Sequence, residues 1–225
     1  MNSFLELKNI SKNFNIEKKI KVLNKLSYNF KKGKVYSLMG PSGSGKSTLL
    51  NLISLIDRPS KGFIKFNNNL INFKENNEND IFRAKKIGIV YQQNNLLPDF
   101  TALENLYLAS LSINDNKKIA ISKAEKLLKK IGLSNRADHY PSQLSGGEAQ
   151  RIAIARAIIN DPDIILADEP TGSLDMKTAK DIFTLLHNQK KPDRLIIFAT
   201  HNRFFANKAD YLLELTDGSI KTTNG

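Results

Sequence analysis

The sequence predicts an α/β fold, a buried parallel sheet covered by helices on both sides, with an antiparallel edge sheet and a helical insertion. Three observations predict it. Val35-Tyr36-Ser37-Leu38-Met39 is an apolar run that passes through a glycine-rich turn into Leu49-Leu50-Asn51-Leu52-Ile53, which reads as a helix. Ile164 to Ala167 and Leu195 to Ala199 are two more apolar runs. Between them lies a helix with Ala179, Ile182, Phe183 and Leu186 on one face. Strands that alternate with helices give parallel sheets buried on both faces.

The first 35 residues read as extended. Leu26, Tyr28 and Phe30 alternate with Ser27, Asn29 and Lys31, a half-buried strand ending at Lys32-Gly33. Leu5 and Leu7 begin an earlier strand, and Ile64 and Phe66 add a third, giving the antiparallel edge sheet. Residues 67 to 86 are rich in Asn and Glu and read as a solvated loop with a short helix near Ile81-Phe82. Ile87 to Tyr91 is a buried strand ending on Gln92-Gln93. Pro98 then breaks the chain, and Thr101-Ala102-Leu103-Glu104 is a capping box that opens a helix. Ala124, Leu127, Leu128 and Ile131 mark a second helix, closed by Gly132. The span 93 to 145 is therefore a helical insertion. Ile152 to Ile159 is a helix apolar nearly all round, and the tail from Tyr211 to Ile220 reads as a closing hairpin.

Composition bounds the function. At 225 residues, with 40% hydrophobic and 25% charged residues, the chain has the make-up of a soluble globular protein with a substantial core. No apolar run approaches the roughly 18 to 20 residues that cross a bilayer. No basic leader precedes an apolar stretch at the N-terminus, so a secretion signal is not expected. Cysteine is absent, which excludes disulfides, thiolate metal ligands and a thiol nucleophile, and suits a reducing compartment. The net charge of +12 admits nucleic acid or an anionic membrane as a partner. The lysines are scattered in pairs without interleaved aromatics, which favours a solvated surface first, membrane proximity second and nucleic acid last.

Chemistry is concentrated in three stretches. Gly40-Pro41-Ser42-Gly43-Ser44-Gly45-Lys46-Ser47-Thr48 stands between strand and helix, the context of a phosphate-binding loop. Its glycines let successive N–H groups turn inward on an anion, and the helix dipole adds to the same field. Lys46 supplies a mobile charge for the β- and γ-phosphates, and the Ser47 hydroxyl can ligate Mg²⁺. In the second stretch, Ile164 to Ala167 runs into Asp168-Glu169, which places two carboxylates at the carboxyl edge of a buried strand, where ligands of such sheets bind. Consecutive strand residues point to opposite sides, so the two acids are assigned different tasks: Asp168 holds Mg²⁺, and Glu169 polarises the attacking water. The third, Leu144-Ser145-Gly146-Gly147-Glu148-Ala149-Gln150-Arg151, sets a hydroxyl and bare backbone before a buried helix, a second anion site.

GPSGSGKST, LSGGEAQR, ILADEPTGSLD and ATH, in this order, resemble the ATPase subunits of ATP-binding-cassette (ABC) transporters over essentially the whole chain. The resemblance implies one nucleotide-binding domain over 1–225. It has a RecA-like P-loop NTPase core at 1–92 and 152–225 and a helical, signature-bearing subdomain at 93–151. It implies ATP and Mg²⁺ as cofactors and a homodimer that sandwiches two ATP molecules, each between Lys46 of one copy and Ser145, Gly146 and Gly147 of the other. Gln92 corresponds to the family's glutamine that senses the γ-phosphate and metal. Otherwise it is a surface residue. Asp175 corresponds to the loop that communicates across the dimer, or is simply a helix N-cap. His201 corresponds to the switch histidine on the γ-phosphate, whereas His139 and His187 match nothing and read as structural. Phe14 falls where the family stacks an aromatic on adenine, with edge-sheet core as the alternative. Ala149 and Asn202 depart from the usual Gln and Asp, the second bearing on how His201 is oriented.

Leu96 to Asn105, together with Gly132-Leu133 and Arg136 to Pro141, most resembles the lipoprotein-releasing branch of the family, with the MacB and FtsE branches close by. That branch implies integral membrane permease subunits of the LolC and LolE kind as partners. They would be met near Gln92 to Tyr107 on the cytoplasmic side of an inner membrane, with no insertion of this chain and no nucleic acid. Two other classes compete: an ATP-gated regulator of a cell-envelope partner, and a DNA-repair ATPase. The latter normally needs a coiled coil or zinc cysteines, which this sequence lacks.

Overall fold

The computed structural model describes residues 4–15, 19–74, 76–113 and 116–223. The chain divides into two compact units, Met1–Asp80 with Lys190–Gly225, and Ile81–Gln189. No helix among the described residues is long and apolar enough to cross a membrane.

In the first unit, β1 (Leu5–Asn15) pairs antiparallel with β2 (Lys19–Phe30) and with β4 (Lys61–Phe66), and β5 (Asn69–Leu70) closes that sheet. Leu5 and Leu7 share the expected antiparallel sheet with Ile64 and Phe66, and the observed register sets Leu5 opposite Phe66 and Leu7 opposite Ile64. Strict alternation fails between Leu23 and Leu26, which are both buried although three residues apart. The cause is a pair of bulges. Asn9 and Lys25 take φ of 50° and 48°, and the β1–β2 register shifts there. Hydroxyls replace the missing ladder bonds: Asn9 N donates to Ser27 Oγ at 2.9 Å, and Lys25 N to Ser11 Oγ at 3.0 Å.

Four further strands of this unit run side by side. β3 (Val35–Met39) is parallel to β8 (Leu195–Ala199) on one side and to β9 (Tyr211–Thr216) on the other, while β10 (Ser219–Thr223) forms a hairpin with β9. The closing hairpin is therefore also a flank of the parallel strands. Stacking of Tyr36 on Tyr211, ring centroids 4.8 Å apart, joins β3 to β9 beyond the backbone bonds. β3 leads into α1 (Lys46–Ile53), whose Leu49, Leu50, Leu52 and Ile53 are buried.

The second unit is entered through α2 (Asn76–Lys86), an eleven-residue helix where a solvated loop with only a short helix near Ile81-Phe82 was expected. Its sequence lacks an apolar stripe, and its charges support it instead. Glu78 lies in the first turn and Arg83, Lys85 and Lys86 in the last, each complementing the helix dipole. β6 (Ile87–Val90) and β7 (Ile164–Asp168) pair in parallel, Ile87 opposite Ile164. α3 (Ala102–Leu111) begins with the predicted capping box of Thr101 and Glu104, and α4 (Lys117–Lys130) follows. These two pack on α5 (Gly146–Ile158) through Leu106, Ala124, Leu128, Ile152 and Ala153. α6 (Met176–His187) buries the predicted stripe of Ala179, Ile182, Phe183 and Leu186.

α5 begins six residues earlier than the apolar run from Ile152 suggests. Gly146 and Gly147 are its first two residues rather than a turn ahead of it, because Ser145 and Glu148 form a capping box that draws the helix back. On its other side α5 meets β6 at Gly88. A Cβ on Gly88 would collide with the Ala157 carbonyl. We expect Gly88→Ala to destabilise the protein by about 1–3 kcal/mol through this overpacking, read as a lower midpoint of urea unfolding. An unchanged midpoint would show that α5 and β6 can separate freely.

Candidate functional site

β3 and β8 are parallel neighbours with Leu38 opposite Ala199, so the segments leaving their carboxyl ends start from one sheet edge. Those segments are the loop Gly40–Gly45 and the turn at His201. Gly40, Gly43 and Gly45 take φ of 147°, 77° and 99°, values that side chains resist. Gly45 is the N-cap of α1, with no side-chain cap, so the first N–H groups of that helix lack the usual partner. A Cβ at Gly45 would meet Val22 Cγ1 at 2.8 Å and Leu23 Cδ2 at 3.1 Å. The bulged β2 thus presses directly on the loop.

Inside the loop, Ser44 N donates to Pro41 O at 3.2 Å, and Ser44 Oγ is buried with no hydrogen-bond partner. Lys46 Nζ donates to Gly40 O at 2.8 Å and Pro41 O at 3.1 Å. Its ammonium spans the mouth of the loop. An uncapped helix start, an orphaned hydroxyl and a lysine held across the opening fit a polyphosphate, which would accept from all three. Pro41, Ser42 and Ser47 are exposed around this opening, and Thr48 is half-buried.

Two other predicted residues belong to this unit. His201 is exposed just past β8, and Asn202 behind it caps α7 (Arg203–Ala206), its side chain accepting from Phe204 N at 2.9 Å. Asn and Asp are equivalent N-caps, so this departure from the family pattern leaves the local fold intact. Phe14 lies on β1 at 36% exposure, which sets aside edge-sheet core. The buried Lys12 places its ammonium 4.9 Å from the Phe14 ring centroid, and is itself held by Asp57 at 2.6 Å and Arg58 O at 3.0 Å. The ring is supported from one side by a fixed cation.

The second unit holds the remaining predicted residues in two groups. In one, Asp168 ends β7, whereas Glu169 has already left the strand with φ of 46°. The alternation expected of two consecutive strand residues does not apply; a left-handed turn separates the two carboxylates instead. Gly172 N closes that turn on Glu169 O at 3.0 Å. A Cβ on Gly172 would lie 3.1 Å from Gln92 Nε2 and 3.5 Å from Glu169 Cβ, so the missing side chain lets Gln92 and Glu169 approach one spot. Gly172 was not singled out from the sequence; its close approach becomes visible only in three dimensions.

In the other group, Ser145, Gly146, Gly147 and Asp175 line a cleft of about 570 Å³, together with Arg136 and Arg151. Two helix starts face it. Asp175 caps α6 by accepting from Lys177 N at 3.0 Å and Thr178 N at 3.1 Å, and these bonds to Thr178 and the backbone lower its pKa. Asp175 is thus an N-cap of α6, an observation about the local fold and not about communication across a dimer. Gly147 is required by α6, because a Cβ there would meet Thr178 Cγ2 at 2.6 Å. At α5, Glu148 N donates to Ser145 Oγ at 3.3 Å, and Ser145 N donates to Glu148 Oε2 at 2.8 Å. Glu148 Oε1 accepts from Arg136 Nε at 2.8 Å. This ion pair had no sequence signal beyond the two charges twelve residues apart.

The strand-loop-helix phosphate cradle with a lysine at its mouth defines a P-loop nucleotide-binding protein. The chain matches the family described as ABC transporter over residues 23–172. It is 42% identical over 221 residues, 97% of this chain and 98% of the relative, to the "Lipoprotein-releasing system ATP-binding protein LolD" of Rickettsia bellii. It is 40% identical over 217 residues, 96% and 97% of the two chains, to the "Uncharacterized ABC transporter ATP-binding protein MJ1508" of Methanocaldococcus jannaschii. Among solved structures, the ATP-binding cassette MJ0796 in a dimeric post-hydrolysis state bound to ADP and Pi superposes with a TM-score of 0.89 at 38% identity, covering 98% of this chain and 99% of that one. The chain belongs to the ABC transporter family, as an ATP-binding and ATP-hydrolysing subunit.

Arg136 and the Ser145 N–H hold the Glu148 carboxyl down at about 2, below its ordinary 4.5. A carboxyl lowered by folding stabilises the native state above its unfolded pKa, and that contribution fades as pH falls through the folded value. Glu148→Gln should therefore be less stable than the parent at about pH 6, with the gap narrowing towards about pH 3. Urea unfolding at both pH values checks this, and a gap that widens in acid would reverse the assigned sign.

Proposed function

We propose that this chain is the ATPase subunit that drives lipoprotein release from an inner membrane. It would act as a homodimer on separate permease subunits of the LolC and LolE kind, on the cytoplasmic face. The observation that carries the reading is the presence of two unlike anion cradles in one chain: α1, uncapped behind Lys46, and α5, capped by Ser145 beside Arg136 and Arg151. One nucleotide has no need of both, so the second serves the nucleotide of a twin. Dimerisation is what the name of the MJ0796 structure states for that protein, and lipoprotein release is what the name of the Rickettsia relative states for that one.

Each residue then has a task. The N–H groups from Gly40 to Thr48 and the Lys46 ammonium bind the phosphates, and Phe14 stacks on adenine. Ser47, Gln92 and Asp168 are the side chains that would hold Mg²⁺, which when bound neutralises charge building on the phosphates. Glu169 accepts a proton from the water whose oxygen attacks the γ-phosphorus, so that ADP departs and phosphate is released. Gln92 positions that water, and His201 donates to the γ-phosphate. Ser145, Gly146 and Gly147 of the twin grip the same phosphate from the opposite side, while Asp175 holds the adjoining helix start. ATP favours the closed dimer by this double grip, and hydrolysis removes it.

A second reading is a MacB-like exporter ATPase or an FtsE-like ATP-gated regulator, since those branches share most of the motif pattern, and the Methanocaldococcus relative matches at similar identity with a name that specifies no cargo. Co-purification and sequencing of the membrane partner separates the two. A partner with lipoprotein-extracting activity supports the first reading, and one that binds a cell-wall enzyme supports the second.

Glu169→Gln should bind ATP, form a lasting dimer and lose at least ~10²-fold in turnover, measured as phosphate release. Undiminished turnover would remove Glu169 from the reaction. Lys46→Ala should weaken nucleotide binding by roughly 10- to 100-fold, the worth of a charge-assisted bond, measured by titration with a fluorescent ATP analogue. Unaltered affinity would contradict the role of the loop.

A further inference from the structure

We propose that Arg136 is a positioning residue that keeps the Ser145 turn able to receive a phosphate from the second copy. The inference rests on Ser145 being a phosphate ligand, as read above. A capping box at this turn brings a difficulty with it. The Glu148 carboxylate that secures Ser145 N sits at the rim of the cleft where a polyanion must arrive. Two acids, Glu148 and Asp175, line that cleft, against the two cations Arg136 and Arg151. Arg151 is drawn towards Asp181 at 3.7 Å, outside the cleft lining. Removing Arg136 would leave the cleft with an excess of negative charge beside the incoming phosphate.

Arg136 answers this through one bond, Nε to Glu148 Oε1 at 2.8 Å, which leaves the rest of its guanidinium available to the cleft. With Glu148 engaged on both oxygens, Ser145 Oγ accepts from Glu148 N at 3.3 Å and lies within reach of the same carboxylate, whose charge Arg136 offsets.

The backbone that delivers Arg136 is fixed at both ends. Gly132, at φ of 74°, closes α4 in a double-bonded turn, Leu133 N to Leu128 O at 2.9 Å and Gly132 N to Lys129 O at 3.1 Å. Arg136 N then donates to Leu133 O at 3.0 Å. On the far side, the carbonyls of Ala137 and His139 accept from Leu103 N at 2.9 Å and Ala102 N at 2.8 Å, the first residues of α3. The start of α3, the guanidinium and the Ser145 turn are therefore joined by consecutive short bonds. Such anchoring is more than a surface ion pair normally has.

The test uses the full chain in the Glu169→Gln background and reads the ATP concentration that half-dimerises it, by analytical ultracentrifugation. Arg136→Ala should raise that concentration roughly 10-fold. Arg136→Lys, which retains the charge, should recover most of the loss. Adding Glu148→Gln to Arg136→Ala should also recover it, because the uncompensated carboxylate is gone. A merely structural ion pair predicts the opposite, a double variant no better than Arg136→Ala alone. The inference is overturned if Arg136→Ala dimerises at the parent's ATP concentration, if Lys fares as badly as Ala, or if the double variant shows no recovery. A parent that does not dimerise with ATP at all overturns the reading of Ser145 and this inference together.

Discussion

Gly45, pressed against Val22 and Leu23 and turned to φ of 99°, leaves the start of α1 without a side-chain cap, and Lys46 rests on the carbonyls of Gly40 and Pro41. A helix start in that condition has unmet donors and a positive field, and only an anion from outside meets both. Everything else in the first unit keeps it so. The bulges at Asn9 and Lys25 aim β2 at the loop, and the packing of β3 between β8 and β9 fixes the point from which the loop departs.

The second unit solves the same local problem differently. α5 is capped, by Ser145 and Glu148, and α6 is capped by Asp175. A capped start cannot serve as a deep cradle, since one of its N–H groups is already committed. It can present a hydroxyl group and the remaining backbone donors at a defined place, beside a carboxylate that Arg136 pairs with. One chain therefore offers a deep cradle and a shallow latch. In the proposed function this asymmetry would be the physical basis for a nucleotide shared between copies, since a cradle is satisfied by one chain and a latch adds affinity only when a second chain closes on it.

Much of this was legible in the sequence because it depends on short-range pattern. The strand-loop-helix order around Gly40 to Lys46, the Thr101 capping box, the α6 stripe and the antiparallel edge sheet each follow from residue spacing. What could not be read depends on close approach in space. Gly88, Gly147 and Gly172 are required by Ala157, Thr178 and Gln92, none of them a near neighbour in the chain. Glu169 could not be placed off the strand, because its left-handed turn is closed by Gly172 rather than announced by a glycine at its own position. α2 was underestimated because its support is electrostatic and lacks apolar periodicity. The lysines described as scattered include six on α4, which its buried Ala120, Ala124 and Leu128 turn outward together.

The most direct measurement is a crystal structure of the Glu169→Gln chain with ATP and Mg²⁺. The account predicts a pair of chains with each γ-phosphate within about 3 Å of Lys46 Nζ from one copy and of Ser145 Oγ from the other. A closed pair in which Ser145 faces solvent while the phosphate is fully bound by a single copy would contradict it.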